Sequence, residues 1–473
     1  MLNNSFMNKG IRNISYTFMA QGITLLISLI KALWIPKMLG VEEFSYWQLY
    51  VFYSSYVGFF QFGINDGIYL RYGGAKFNDL NKELFRSQFW LLTLSQLSLA
   101  VFLILISGSF SDDIRSNIWV YTSLCLLISG VSAFFWFIFQ STNRIKDYAV
   151  ALIIDKVIFL LLVLFLLNFN VLDFEYFIVA DLISKTLSLI FCMFIGKELI
   201  LGKVSSFKVS IKELFNNVSV GMKLMIANIA SMLILGVGRF AIDHTWGITT
   251  FGQLSLTLSI ISLGLLFINA VSVVLFPALR MIPKSQLVET YLALRTLLVI
   301  ILFSVLILYT PFQYLLNLWL PEYSKSIKYL AILFPIIIFD GKMQMLVATY
   351  LKVIRKENSL LMTNIIAVIA SILMCSYSAI VLHNINLVII SMIVVVAIRC
   401  LIAEIFLSSE LGISLVKNTI SEILLVGIFI ISTWYLNGIL SMIIYIIFYL
   451  FFLIYLKKDI IGTVSIIRRV SKK

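Results

Sequence analysis

The sequence predicts an all-α polytopic membrane protein. Three observations carry this: 61% of the 473 residues are hydrophobic against 12% charged, the mean hydropathy is +1.02, and only 6 prolines interrupt the chain. Soluble domains carry roughly a quarter charged residues, and one soluble core has no use for so much apolar sequence. A cytoplasmic enzyme, a secreted disulfide scaffold and a disordered chain are thereby excluded. The apolar runs are continuous, as from Val157 to Leu167, and do not alternate. Lipid admits helices or closed barrels, and continuous runs read as helices.

A span needs about 20 apolar residues to cross a core ~30 Å thick. Fourteen runs qualify: 14–37, 44–68, 88–108, 117–139, 148–168, 174–195, 219–241, 251–276, 291–310, 328–349, 359–382, 385–405, 420–436 and 438–456. Positive charge tests the count, since Lys and Arg gather on the cytoplasmic side. With both termini cytoplasmic, the inside segments and adjoining span ends hold 28 of the 36 basic residues and the outside ones 5. Glu42, Glu43, Asp112, Asp113, Asp173 and Glu175 all fall outside. The net charge of +13 is therefore a topology signal. Basic residues scattered over short loops are no nucleic-acid module. The N-terminus enters a full-length span without a small-residue cleavage site, so no cleavable signal is expected.

Chemistry-bearing motifs are absent. There is no GxxxxGK[ST] and no GxSxG, so neither a phosphate loop nor a hydrolase elbow is expected. Gly236-Val237-Gly238 follows no strand and reads as a span feature. Cys125, Cys192, Cys375 and Cys400 sit in apolar runs as packing residues, and His244 and His383 are too few for a metal site. No cofactor, no metal and no enzyme are expected. The longest outside loop, about 17 residues between Thr310 and Lys328, is short for an enzyme that must hold a polymer.

An internal repeat organises the chain. Leu39-Gly40-Val41-Glu42-Glu43-Phe44-Ser45-Tyr46-Trp47-Gln48-Leu49 aligns with Trp246-Gly247-Ile248-Thr249-Thr250-Phe251-Gly252-Gln253-Leu254-Ser255-Leu256 at an offset of 207, matching a Gly, a Phe and a Leu. Lys31 then falls beside Arg239, and Arg71 near Arg280. The expected organisation is an N-lobe over 1–205, a C-lobe over 206–410, and two further spans with a basic cytoplasmic tail over 411–473. Six spans return the chain to its starting side, so the repeat is parallel about the membrane normal.

Two six-helix lobes plus two helices resemble the multidrug/oligosaccharidyl-lipid/polysaccharide exporter superfamily. The Leu-Gly-x-x-x-Phe turn after the first span is similar to O-antigen repeat-unit flippases of the Wzx type. So are Gln61-Phe62-Gly63-Ile64-Asn65-Asp66-Gly67-Ile68 ending the second span and Phe276-Pro277-Ala278-Leu279-Arg280 ending the eighth. Many members of that branch are read with twelve spans, two fewer than here. The resemblance implies a flippase of the bacterial inner membrane. Its cargo would be an undecaprenyl-pyrophosphate-linked glycan, its neighbours membrane lipids and the polymerase and chain-length proteins of the pathway. A small-molecule/cation antiporter of the same superfamily is the alternative, and a membrane-embedded polymerase a third.

Flipping a pyrophosphate-sugar head needs a polar, cationic route, because unpaired polar groups in hydrocarbon cost several kcal/mol each. Ionisable residues inside spans are the candidates. Lys31 lies about two turns from the outer end of its span, with snorkelling to headgroups as the bland reading. Arg239 has Asp243 one turn away, so an ion pair competes with substrate. Arg71 and Arg280 sit at inner ends, where anchoring to lipid phosphates competes. Asp66, Asp155, Asp181 and Asp340 are candidates for ion or proton coupling. Asp181 and Lys185, at i,i+4, read as a structural pair. Asp155 and Lys156 are adjacent and expected to diverge on their helix. Tyr53, Tyr56, Tyr69 and Trp47 could stack on sugars or serve as packing and interface residues.

Overall fold

The apolar runs become helices, and no strand occurs among the described residues. The computed structural model describes residues 4–280, 282–436 and 438–470, without the side chains of 4–18, 20, 267, 270, 273–274, 276–278, 280, 284 and 465–470. The chain divides into two units, Met1–Ile229 and Ala230–Lys473. Unit 1 contains α1 (Asn4–Tyr56), α2 (Ile64–Tyr72), α3 (Lys82–Ser107), α4 (Asp113–Ser141), α5 (Ile145–Asn168) and α6 (Phe174–Ile195). The division falls within α7 (Phe207–Trp246). Unit 2 continues with α8 (Ile248–Arg280), α9 (Leu287–Val305), α10 (Tyr309–Trp319), α11 (Ser324–Leu333), α12 (Ile336–Lys342) and α13 (Ala348–Val353). It ends with α14 (Glu357–Ser376), α15 (Ile385–Leu411), α16 (Val416–Tyr435), α17 (Ile439–Tyr455) and α18 (Lys457–Val470).

Local chemistry sets the helix ends. Asp112 accepts from the amides of Ile114 and Arg115 at the start of α4, Asp173 from Glu175 at α6, and Asn384 from Asn386 and Leu387 at α15. Each occupies amide donors that the first turn cannot pair. Gly412, at φ 66°, closes α15. Inside the helices, hydroxyls turn back onto carbonyls of the preceding turn, as Thr122 does onto Ile118 and Ser132 onto Ile128. A Ser or Thr can thus sit among apolar neighbours with its donor used.

Among the described residues, eleven helices are long and apolar enough to cross a membrane, and two bent helix pairs raise this to thirteen. One pair breaks at Pro335, between α11 and α12, with a bend of 48°. The count differs from the expected fourteen in one place. Gln21–Gln61, 41 residues, runs as a single helical stretch. It is interrupted at Gly40, whose φ of 73° and ψ of 179° are not helical. Gly247, at φ 81°, separates α7 from α8. These two glycines are the pair that the 207-residue offset aligns, and both take a positive φ. A side chain there costs about 1–3 kcal/mol.

Within unit 1, α2 crosses the start of α7 at backbone contact. A Cβ on Gly67 would run into the backbone of Asn217, and one on Gly221 into that of Gly63. Small residues let helices approach this closely. Beneath them, Phe85, Phe89, Phe134, Phe135, Ile138 and Phe139 form a buried core. In unit 2, the Tyr445 and Tyr449 hydroxyls of α17 donate to the carbonyls of Phe303 and Ile300 on α9, at 2.8 and 2.9 Å.

Gly67→Ala and Gly221→Ala should each cost about 1–3 kcal/mol, as overpacking does, and lower the thermal midpoint in detergent by several degrees. Gly22→Ala and Gly427→Ala, where nothing lies within 4 Å, should leave it unchanged. An unaltered midpoint for Gly221→Ala would show that the helices do not meet this closely.

Candidate functional site

In unit 1, α1, α5 and α6 pack together and bring five charged side chains into one cluster. Asp181 of α6 is its centre. The Lys31 ammonium stands 3.7 Å from Asp181 Oδ1, Lys185 one turn along α6 pairs with Oδ2, and the Tyr50 hydroxyl donates to Oδ2 at 2.9 Å. Asp155 of α5 is held beside it. The Ser184 hydroxyl lies 3.0 Å from Asp155 Oδ1 and 2.8 Å from the Asp181 carbonyl, and Lys156 donates to Asp155 Oδ2 at 2.7 Å. The last contact corrects the expectation for Asp155 and Lys156. Adjacent Cβ atoms do diverge on a helix, but a four-carbon stem is long enough to curl back.

Aromatic faces line the cluster. The Lys31 ammonium sits 3.6 Å above the Phe159 ring and 5.9 Å from that of Trp47, contacts worth about 0.5–2 kcal/mol. Trp47 is itself buried and stacks on Phe159 at 5.9 Å, so it serves as packing. Tyr53 packs against Trp119. The carboxylates are more deeply buried than the ammonium groups: Asp181 and Asp155 are 6% and 3% exposed, Lys31, Lys156 and Lys185 between 21% and 27%. Three cations over two anions leave one surplus positive charge.

The other named residues lie elsewhere. Arg71, ending α2, pairs with Glu213 of α7 at 2.7 Å and donates to Asn217 at 2.5 Å. Tyr72 donates to the same Glu213. Burial, and next its hydrogen bond to Glu213, pushes the Tyr72 phenol up to about 12, so it stays a donor. Arg239 donates to Ser255 at 2.9 Å and lies over the Phe251 ring. Asp340 is 3.0 Å from Arg399, whose guanidinium also donates to Asn364 and Ser231. Asp66 makes no ion pair or side-chain hydrogen bond among the described residues. The side chain of Arg280 lies outside the described residues.

The sequence reading missed a second cluster. Arg295 (α9) and Lys342 (α12) are buried against Glu404 (α15) and Glu422 (α16). Arg295 is 2.8 Å from Glu404 and 2.7 Å from Glu422, and Lys342 is 2.8 and 2.6 Å from the same pair. All four side chains are at most 4% exposed. The signal available in the sequence was two acids and two bases at similar depth in four apolar runs. The set is neutral and closed, so it fits a structural role. It offers no surplus charge to a ligand.

Long apolar helices that bury paired charge define a polytopic membrane protein, and solved structures share its fold. The chain resembles lipid II flippase MurJ in its inward closed conformation, with 16% identity, 95% of this chain and 99% of that chain covered, and a TM-score of 0.64. It also resembles a multidrug resistance MATE family transporter of the MOP superfamily in its inward-facing conformation, with 13% identity, coverage of 84% and 95%, and a TM-score of 0.61. A MOP superfamily transporter from Pyrococcus furiosus matches at 13% identity, coverage of 86% and 96%, and a TM-score of 0.51. The fold is therefore one that this chain shares with these three proteins. The chain belongs to the polysaccharide biosynthesis protein family, whose model matches residues 11–283. No curated protein matches it.

Removing one member of a buried ion cluster costs about 3–5 kcal/mol, whereas replacing a balanced pair by apolar residues is often neutral. Glu422→Gln should therefore lower the thermal midpoint sharply, and Lys342→Met combined with Glu422→Met should recover most of the loss. Equal losses in the single and double variants would show that the charges are not coupled.

Proposed function

We propose that this protein is a flippase carrying an undecaprenyl-pyrophosphate-linked oligosaccharide repeat unit from the cytoplasmic to the outer leaflet of the bacterial inner membrane. It works by alternating access and serves O-antigen or capsule assembly. In this reading both termini are cytoplasmic, and Gln21–Gln61 is two spans hinged at Gly40, which brings the total to fourteen. A polymerase and chain-length proteins of the same pathway receive the product.

The observation that carries the proposal is the surplus ammonium charge of Lys31, Lys156 and Lys185 over Asp155 and Asp181. The polyprenyl tail already resides in lipid; the pyrophosphate is the costly group, and in a low-dielectric setting a preformed cationic face offsets its lost hydration. The two carboxylates keep the lysines in register without cancelling them. Arg239, Arg71 and Arg280 belong to the route as secondary cations. The multidrug-antiporter reading has less behind it. Asp155, Asp181 and Asp340 each have a cation of the chain beside them, which leaves Asp66 as the acid open to an exchanging ion or proton.

Lys31 can be tested without dismantling the cluster, because Asp181 keeps Lys185. Lys31→Gln with Arg239→Gln should reduce surface polysaccharide by at least about tenfold, the scale of one lost charge-assisted contact, in a strain that depends on this protein. Membrane abundance should be unchanged, and glycolipid should accumulate on the inner face. Lys31→Arg should retain most activity. Normal polysaccharide display by the double variant would overturn the proposal, and drug efflux without a glycan phenotype would favour the antiporter.

A further inference from the structure

The last helix is not built like a span. α18 leaves α17 at an angle of 61°, and its 14 residues extend only about 21 Å. One side is committed to unit 2, where α18 packs on α9 with Thr463, and Leu456 just before the helix, each 3% exposed. The opposite side presents Ile461 and Val464, 60% and 43% exposed and one turn apart, with Lys457 and Lys458 exposed one turn earlier. From 457 to 473 the sequence holds six basic residues, Lys457, Lys458, Arg468, Arg469, Lys472 and Lys473, against the single acid Asp459. That acid is already engaged: Asn418 of α16 donates to it at 3.2 Å. Between α9, the start of α16 and α18 lies a cleft of about 380 Å³, whose lining includes Arg295, Thr296, Asn418, Lys458, Asp459 and Thr463.

We propose that α18 and this cleft form a docking surface for anionic phospholipid headgroups, in the leaflet that meets the chain's basic loops. The two halves of the surface suit the two halves of such a ligand. Ile461 and Val464 are exposed, and an interfacial helix buries such an apolar side in the acyl boundary. The exposed ammonium groups of Lys457 and Lys458 lie one turn from that pair, Lys458 lines the cleft, and a basic side chain near an anionic leaflet is drawn to it. A free phosphate would use the charges but would leave the apolar pair exposed. The inference is independent of the cargo and stands whether or not the protein flips a glycolipid.

The full chain is reconstituted in phosphatidylcholine vesicles with and without phosphatidylglycerol, with Ile461→Cys carrying an environment-sensitive dye; the native cysteines are buried. Quenching of the dye by spin-labelled lipid should rise roughly twofold when phosphatidylglycerol is present, and fall as salt screens the attraction. Lys457→Gln, Lys458→Gln, Arg468→Gln and Arg469→Gln together should abolish that rise while leaving the thermal midpoint in neutral detergent unchanged. Quenching that is equal in the two lipid mixtures, or that persists in the neutralised variant, overturns the assignment. So does protection by inorganic phosphate alone in detergent that matches the protection by phosphatidylglycerol, since the ligand would then be a free anion. A neutralised variant that unfolds in detergent is replaced by Ile461→Ser with Val464→Ser and a dye at position 457. That variant should lose the phosphatidylglycerol-dependent rise, and retention of the rise overturns the proposal equally.

Discussion

Charge taken out of water must meet opposite charge, and this constraint organises both units. An isolated ion in a low-dielectric interior is penalised by several kcal/mol even after relaxation, so helices carrying buried lysine, arginine, aspartate or glutamate are forced to particular neighbours at particular depths. Asp181 ties α1 to α6 through Lys31 and its own Lys185. Glu404 and Glu422 tie four helices of unit 2 through two shared cations. Apolar packing alone would let such helices slide or rotate, since lipid competes with side chains on nearly equal terms. The ion pairs make one arrangement much better than its alternatives.

The two clusters solve the same problem to different ends. In unit 2 the count of charges is even, the groups are sealed, and nothing is left over. In unit 1 it is odd, and the groups left partly open are the cations. A closed neutral set fastens helices together, whereas an open set with one extra ammonium keeps some of its attraction for something not covalently part of the chain. The aromatic floor of Phe159 and Trp47 holds the Lys31 ammonium without neutralising it.

Much of the fold was legible in the sequence because the relevant physics is local. Span length follows from bilayer thickness, and loop charge follows from insertion. The glycine pair at 40 and 247 follows from a backbone conformation that other residues avoid. The candidate site was legible only in part. Lys31, Asp155 and Asp181 stood out as charges in apolar runs, but the contact between Lys31 and Asp181 joins residues 150 positions apart. Nothing in a single sequence reports which helices become neighbours. The acids that Arg295 and Lys342 meet were illegible for the same reason: they arrive from helices far along the chain. The curl of Lys156 onto Asp155 was lost to a rule about Cβ directions that says nothing about where a long side chain ends.

The shared cations of unit 2 also bear on how the chain is made. Lys342 meets one of its acids 62 residues later and the other 80 residues later. While the ribosome is still short of α16, Arg295 and Lys342 have a single carboxylate between them, and the nascent bundle carries an unbalanced charge in the translocon or the lipid beside it. Completion of this half of the molecule is thus tied to delivery of position 422. A chain lacking that position keeps a stranded cation in its interior, at a cost of about 3–5 kcal/mol. Through Glu422, α16 is therefore part of the packing of unit 2 and no detachable appendage.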